Sequence, residues 1–484
     1  MMQVVLLTLY ILTLIVLGLF GIHKYYLLYL YRKYKKNPLP NPPIPDEWPL
    51  VTVQLPIYNE KYVLKRLLKA TVQLDYPREK LHIQVLDDST DSTSRLAEKL
   101  VALLRSKGYQ IDHLRRPNRE GFKAGALSYG LERTAAEYIA IFDADFVPDP
   151  DFLKQTIPHL MQPGIGMVQA RWGHINRNYS LLTQLQAIFL DAHFLIEHLA
   201  RHRSGRFFNF NGTAGVWRKQ AIYDAGGWQH DTLTEDLDLS YRAQLAGWKF
   251  LFLPHVVAPA ELPAEMNAYK GQQHRWAKGS VQTALKLYRK IWKSNFPLHI
   301  RMEAIIHLSN NFAYLIMSIP AFLLVPIVKI HIEMGVVPWK LVIIYFLVFL
   351  SATLSVVVYY SVTIKDSLGK LWPHVLYLPF LMALGIGLSI NNGRAALEAL
   401  LGHQSEFNRT PKYRLEGKRG TWKKKFYRPG KSYQHIFELL MAGYFTYGWA
   451  YFLSQNIYYS MPFFVLFMVG FYYISLSSLY GQRR

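Results

Sequence analysis

Two aspartates one residue apart, Asp143 and Asp145, end the apolar run in YIAIFDADFVPDP (138–150). Hard carboxylate oxygens at that spacing suit Mg²⁺ or Mn²⁺ carrying a phosphorylated substrate, because such ions keep few protein ligands and take phosphate oxygens for the rest. Alone, the pair is more readily a solvated strand-to-turn cap. Asp87 and Asp88 follow a second apolar run in QVLDDSTD (84–91). An acid there can hydrogen-bond a base or ribose, or simply close an Asx-turn. Lys123 stands in REGFKAGA (119–126), where a glycine-flanked loop enters a helix. Such a place offers backbone N–H groups and a cation to phosphate, unless the lysine is merely solvated. Thr234-Glu235-Asp236 opens a predicted helix. Asp236 is either a favourable charge on the helix dipole or a general base that takes a proton from an acceptor hydroxyl. In QQHRW (272–276), Gln272 offers an amide, Arg275 a fork for a diphosphate and Trp276 a flat face for a sugar ring. The plainer use of Arg275 and Trp276 is anchoring at a membrane surface, and His274 reads as a neighbour rather than a metal ligand.

These groups need a scaffold that brings them to one edge. The stretches 51–55, 83–86 and 138–142 read as strands, with 56–60 a loop opening a helix and 125–131 a further helix. Strands alternating with helices imply a mostly parallel, doubly wound sheet over about 48–263, with ligands at its carboxyl edge. Two later stretches are helical: 181–199 has an apolar stripe and 269–288 is basic and amphipathic. Each is expected either to pack on the sheet or to lie in a membrane interface.

Of the 484 residues 51% are hydrophobic and 18% charged, a mixture that points to a membrane protein with a sizeable soluble part. The formal charge of +22 concentrates beside apolar segments, as the positive-inside bias requires. Aromatics do not interleave with cations in one soluble module, so no nucleic-acid partner is expected. The chain has no cysteine, which excludes disulfides, thiolate metal sites and cysteine nucleophiles. The run 4–20 reads as an uncleaved anchor, its cytoplasmic end marked by Arg32, Lys33, Lys35 and Lys36; the proline-rich 37–45 is an extended spacer. Further spans are expected at 305–328, 341–362, 437–453 and 462–479. Asn391-Asn392-Gly393-Arg394 interrupts 372–401, which is expected to be re-entrant or interfacial. Ten Lys or Arg in 409–431 place that stretch in the cytoplasm with the soluble domain, so about five spans result, with six as the alternative.

Taken in order, QVLDDSTD, GFKAGAL, IAIFDADFVPDPDFL, VQARW, FNGTAGVWR, AGGW, TEDLDLSYRA, GWKFLF, ELPAE and QQHRW resemble the processive inverting glycosyltransferases of the cellulose synthase and hyaluronan synthase superfamily. The cellulose-synthase-like β-mannan and β-glucan backbone synthases and their bacterial relatives are the nearest in kind. The resemblance implies a GT-A domain (Rossmann-like, mixed and mostly parallel) beside an α-helical transmembrane bundle with interfacial helices. It divides the chain into an anchor (1–36), linker (37–47), GT-A domain (48–265), interfacial helix (266–296), membrane segments (297–403), basic gating loop (404–432) and two final membrane helices (433–484). It implies a UDP- or GDP-sugar donor, either UDP-glucose or GDP-mannose, with Mg²⁺ or Mn²⁺ as cofactor. Asp87 or Asp88 would contact the nucleoside, Lys123 the diphosphate, and Asp143 and Asp145 the metal-diphosphate, with Asp145 the direct ligand. Asp236 would be the base, Asn211, Gly212 and Thr213 part of a collar near the acceptor, and Gln272, Arg275 and Trp276 would lie below it. The stretch 407–413 is similar to the loop that closes over nucleotide, with Thr410 and Lys412 in register and Arg409 a departure from the cellulose-synthase pattern.

The implied reaction inverts an α-linked donor to a β linkage, and the polymer leaves through the membrane helices as it grows. The alternatives are a one-step lipid glycosyltransferase acting on ceramide or diacylglycerol, and a non-catalytic subunit that binds nucleotide or polysaccharide. The expected setting is a bacterial inner membrane, or else a Golgi-type endomembrane, with accessory subunits and homo-oligomers left open.

Overall fold

The computed structural model describes all residues except 40, 336–337, 406–408, 423–424, 426–432, 459 and 483–484. Phe407 and Asn408 of the expected gating loop, residues 423–424 and 426–432 of its basic continuation, and Arg483 and Arg484 therefore lie outside the described residues.

Among the described residues, seven strands form one sheet: β1 (Val51–Ile57), β2 (Leu81–Asp87), β3 (Gln110–Leu114), β4 (Tyr138–Ile141), β5 (Ile165–His174), β6 (Gly215–Arg218) and β7 (Lys249–Ala260), in the order β3-β2-β1-β4-β6-β5-β7. Strands β3, β2, β1 and β4 are mutually parallel, β6 runs against both its neighbours, and β7 is parallel to β5. Strands covered on both faces read as near-continuous apolar runs. In β1 the Val51, Val53, Leu55 and Ile57 side chains join one core with the helices Leu64–Val72, Thr93–Ser106 and Phe152–Leu160. On the opposite face Leu86, Ile139, Ile141, Met167, Trp217 and Phe252 build a second core. Thr52, Gln54 and Gln84 are buried there too; Gln54 Nε2 donates to Gln84 Oε1 at 3.1 Å and the Thr52 hydroxyl pairs with that of Thr134 at 2.6 Å. The first two strands extend past the expected 51–55 and 83–86, so Tyr58 and Asp88 leave strand ends directly.

The second core continues into the membrane part. Leu27, Leu28, Leu30 and Tyr31 of the helix Met2–Tyr34 and Tyr359 of Ser355–Leu368 pack within it. Among the described residues, four helices are long and apolar enough to cross a membrane: Met2–Tyr34, Phe312–Met334, Trp339–Leu368 and Met461–Gln482. The pair Trp372–Gly387 and Ser389–Leu400, bent by 40°, counts as a fifth if it is one span. The expected span at 437–453 falls in Gln434–Ser454, long enough at 21 residues but not among the four. Its tyrosines, Thr446 and buried Glu438 lower its apolarity, and Glu438 is spent on Lys270 at 2.6 Å. The expected span at 305–328 is also displaced. A break at Asn310 and Asn311 divides it, leaving Leu298–Ser309 packed beneath the soluble domain through Ala304 and Leu308 and starting the span at Phe312.

The segment expected as a helix over 181–199 runs from Leu181 to Arg203, with a π-helical stretch at Ala192–His198. Its second half packs on the sheet as expected, and its first half packs on the helices Tyr377–Gly387 and Met461–Gln482. Leu182, Leu185 and Ile188 pack with Leu381, Leu384 and Ile474, whereas Phe194, Ile196 and Ala200 join the sheet's second core.

Candidate active site

A cleft opens where the carboxyl ends of β1, β2 and β4 meet. Because β6 is antiparallel to β4, the residues leading into it, 210–214, arrive at this same edge. The sheet topology alone thus gathers Tyr58, Asp88 and Asp143, which are far apart in the chain, onto one wall and brings Gly212 to the same edge facing them.

At the β2 end the two adjacent acids part company. Asp87 turns inward, buried, and accepts from Ser89 N–H at 2.8 Å with His113 Nε2 also at 2.8 Å. Burial pushes its acid up, but the hydrogen bonds from His113 and Ser89 outweigh that and hold it below the usual carboxylate range. Asp88 faces the cleft and is gripped by Arg116, whose Nε and Nη2 donate at 2.9 and 2.5 Å. Arg116 also donates to the carbonyls of Glu120 and Phe122, which ties that acid to the loop carrying Lys123. Beside it the Arg119 guanidinium lies 3.5 Å from the centre of the Tyr58 ring.

The two β4 acids are each held by a lysine. Lys123 Nζ donates to Asp143 Oδ1 at 2.5 Å and to the Gly212 carbonyl at 2.9 Å. Burial alone would weaken the Lys123 ammonium, but Asp143, Glu235 and Asp236 reverse that and raise its pKa. Asp145 is the more enclosed acid; its Oδ2 accepts from Glu261 N–H at 3.1 Å and from Lys412 Nζ at 2.7 Å. Thr213 stands behind the wall, where its hydroxyl accepts from Asp143 N–H at 2.9 Å without lining the cleft.

Asp236 sits in the first turn of the helix Glu235–Leu245. Gly212, at φ +78°, passes so close that a Cβ there would lie 2.9 Å from Asp236 Oδ2. Burial and the neighbouring Glu235 carboxylate raise the Asp236 acid to about 7. The helix Met266–Lys293 closes this end. Gln272, Arg275 and Trp276 share a face at i, i+3 and i+4 and all line the cleft. A Cβ on Gly279 would meet Thr234 Oγ1 at 2.5 Å, so only glycine lets this helix approach the Thr234-Glu235-Asp236 turn. Burial works against the Arg275 charge, with Glu235 and Asp143 opposing it, and the group remains a guanidinium at neutral pH.

A strap over 409–415 crosses the cleft. Arg409 reaches the Asn59 carbonyl and lies 3.3 Å from Glu60 Oε1; Thr410 Oγ1 accepts from Arg275 at 2.9 Å; Lys412 holds Asp145. The strap is anchored by Glu261, whose two oxygens accept from Tyr413 N–H at 2.6 Å and Leu415 N–H at 3.1 Å.

Of the sequence-predicted residues, Asp88, Lys123, Asp143, Asp145, Asn211, Gly212, Asp236, Gln272, Arg275, Trp276, Thr410 and Lys412 line this one cleft, and Asp87 and Thr213 do not. Sequence reasoning missed Tyr58, Glu60, Arg119, Glu261 and Arg409 as lining residues. The first two carried a usable signal, since they follow a strand as Asp88 does. Glu60 is also perturbed: burial raises its acid to about 7, with Arg409 opposing and Asp145 and Asp143 adding.

The fold is that of GT-A glycosyltransferases. The mannosyltransferase PcManGT of Pyrobaculum calidifontis, solved with GDP-Man and Mn²⁺, superposes with a TM-score of 0.56 at 22% identity, covering 82% of this chain and 100% of that one. Residues 49–279 match the family described as glycosyltransferase like family 2. Among curated proteins, glucomannan 4-beta-mannosyltransferase 2 of Arabidopsis thaliana is 42% identical over 302 residues, 59% of this chain and 57% of that protein. Probable glucomannan 4-beta-mannosyltransferase 7 of Oryza sativa subsp. japonica is 48% identical over 250 residues, 51% and 42%. The chain thus spans about half the length of the curated relatives it matches.

Proposed function

We propose that the chain is a membrane-embedded, metal-dependent inverting glycosyltransferase that extends a β-1,4-linked polysaccharide from a nucleotide-sugar, with mannose the sugar its plant relatives' names favour. The observation that carries this reading is the Asp236 carboxylate. It is held against the Gly212 backbone opposite Lys123 and Asp143, with its acid raised toward neutrality. A base whose pKa lies near the working pH is the most effective proton acceptor.

Asp88, Arg119 and Tyr58 offer the nucleoside a carboxylate, a cation and a flat ring at the β1–β2 end. Lys123 and Arg275 offer the departing diphosphate two cations, and charge stabilisation of that kind usually does most to lower the barrier to such transfers. Asp143 and Asp145 fit a divalent cation: both are oxygen donors on one strand end, and each already carries a positive group, Lys123 or Lys412. Among the described residues no cluster of three or more acids or histidines forms a ready cage. That suits an ion whose remaining ligands are phosphate oxygens and water. Mg²⁺ or Mn²⁺ held there would neutralise charge on the diphosphate. The acids that hold it are then poor proton acceptors, which leaves Asp236 to deprotonate the acceptor hydroxyl from the opposite face and gives inversion.

Beyond the cleft, Tyr269, Tyr360 and Tyr473 come from three different helices and pack in one cluster. Aromatic faces with polar tips suit a sliding sugar chain, and they support export through the membrane helices. The test uses the full chain in lipid nanodiscs with Mg²⁺ or Mn²⁺, given labelled GDP-mannose or UDP-glucose. Long chains digestible by β-mannanase or β-glucanase, absent from the Asp236→Asn variant, are the expected result. A single labelled lipid would overturn the polymer reading.

A further inference from the structure

The π-helical stretch Ala192–His198 has a consequence for the cleft. Such stretches re-aim side chains and are frequent at functional sites. Here the stretch turns two imidazoles onto one amide, that of Asn211. His198 Nε2 lies 2.7 Å from Asn211 Oδ1 and 2.9 Å from the Asn209 carbonyl, two acceptors, so this nitrogen carries the proton. His193 Nε2 lies 2.9 Å from Asn211 Nδ2, a donor, so this nitrogen is bare and its Nδ1–H faces Glu197 Oε2 at 3.4 Å. Turning the amide over would set donor against donor at His198, so the network has one self-consistent arrangement. The Asn211 backbone is fixed as well, its N–H donating to Gln169 Oε1 at 3.0 Å, and the next residue is the Gly212 that abuts Asp236.

The same network runs outward to the membrane helices. Glu197 accepts from Tyr359 OH at 3.0 Å and Arg201 Nη1 at 3.1 Å, and Arg201 Nε donates to Glu303 at 3.0 Å. Glu303 then meets His23 of the Met2–Tyr34 helix at 2.9 Å. Arg201 and Glu303 are almost wholly buried. Ion pairs so deep are seldom a source of net stability, because desolvation offsets much of their attraction; their value lies in fixing a geometry.

We propose that His193 is a positioning residue for the acceptor. By accepting from the Asn211 amide it holds the 210–213 collar against Asp236, and the Glu197–Arg201–Glu303–His23 chain ties that collar to the docking of the membrane helices. This rests on the transferase reading above. The test measures KM for a short β-1,4-linked manno-oligosaccharide acceptor and, separately, for the sugar donor, with the full chain in nanodiscs. His193→Leu is expected to raise acceptor KM about tenfold and to change donor KM by less than about twofold. His193→Gln, whose amide oxygen accepts the same N–H, should return acceptor KM to within about threefold of wild type. Equal rises in both KM values, or a glutamine variant no better than leucine, would mark a merely structural residue and overturn the proposal. Should His193→Leu not fold, His193→Phe, which keeps a ring but accepts no hydrogen bond, gives the same decision; an unmoved acceptor KM there would also overturn it. Wild-type protein that transfers no sugar would instead sink the transferase reading, and the acceptor role with it.

Discussion

One wall of the cleft is made of strand ends and the other of segments that come from elsewhere. Tyr58, Asp88, Asp143 and Asp145 each follow a strand of the same sheet, and parallel pairing fixes their relative heights, with Ile57 beside Asp87 and Gln54 beside Ile141. The facing wall is assembled from the 210–214 approach to an antiparallel strand, the first turn of Glu235–Leu245, the helix Met266–Lys293 and the strap 409–415. Its parts are held by a few side-chain contacts each: Gly279 against Thr234, Arg275 to Thr410, Glu261 to the strap, and two histidines to Asn211. The strand-end wall, which the proposed function assigns to the donor, is therefore set by topology, and the facing wall, which it assigns to the acceptor, by side chains. Substitutions on the first should remove chemistry or binding without moving anything. Those on the second should move things.

The largest effect should come from Asp236, the proposed base on the acceptor wall. Asp236→Asn keeps the shape and hydrogen-bonding capacity but cannot take a proton, so transfer should fall by about 10²–10⁴-fold while donor binding, read by titration calorimetry, stays as in wild type. Asp145→Asn tests the donor wall. It halves the charge available to a cation, and Mn²⁺-dependent donor affinity should weaken by about tenfold or more, whereas affinity measured in EDTA should hardly change. An equal loss with and without the ion would mean that Asp145 serves only to hold Lys412.

How much of this was legible beforehand follows the same division. Asp143, Asp145, Asp88 and Lys123 could be read from strand-end and loop-to-helix patterns, because short-range sequence dictates what leaves a strand. Which of Asp87 and Asp88 faces the cleft could not, since it depends on His113 and Arg116 arriving from the next strand and loop. The grip of His193 and His198 on Asn211 was also hidden: a helical stripe at 181, 185, 188, 192, 195 and 199 gives no sign that the helix takes a π turn. Asn310 and Asn311 sit inside a run that otherwise reads as membrane helix, and two consecutive amides were the available warning of a break. Glu261 looks like one motif residue among many until the strap's N–H groups are found on it.

That strap supplies the next effect in size. Glu261 gives one oxygen to each of two backbone N–H groups, and Arg66 Nη2 stands 3.4 Å away. Glu261→Gln replaces one acceptor by an NH₂ group, so one of the strap's N–H groups faces a donor and loses its bond. Donor KM should rise about three- to tenfold with kcat less affected, and the strap should become cleavable by trypsin at Arg414 or Lys418. A variant that is resistant to trypsin and unchanged in KM would show that Arg409, Thr410 and Lys412 suffice to hold it.

The smallest effect is a shift along the pH axis, and it separates the two walls most cleanly. The Asp236 acid is raised by burial first and by Glu235 second. A base must be deprotonated to work, so kcat/KM should climb with pH through the raised value and flatten above it. Glu235→Gln removes the neighbouring charge but leaves the burial, so the acid limb should move to lower pH without disappearing. The sign for stability follows from linkage. An acid whose folded pKa lies above its unfolded value favours the fold most below the unfolded pKa, and that contribution is lost as pH rises through the folded value. Glu235→Gln should therefore make thermal stability less sensitive to pH between about 4 and 7. An acid limb that stays in place in Glu235→Gln but moves in Glu60→Gln would transfer the titrating group to the donor wall, where the Glu60 acid is raised to the same region by burial.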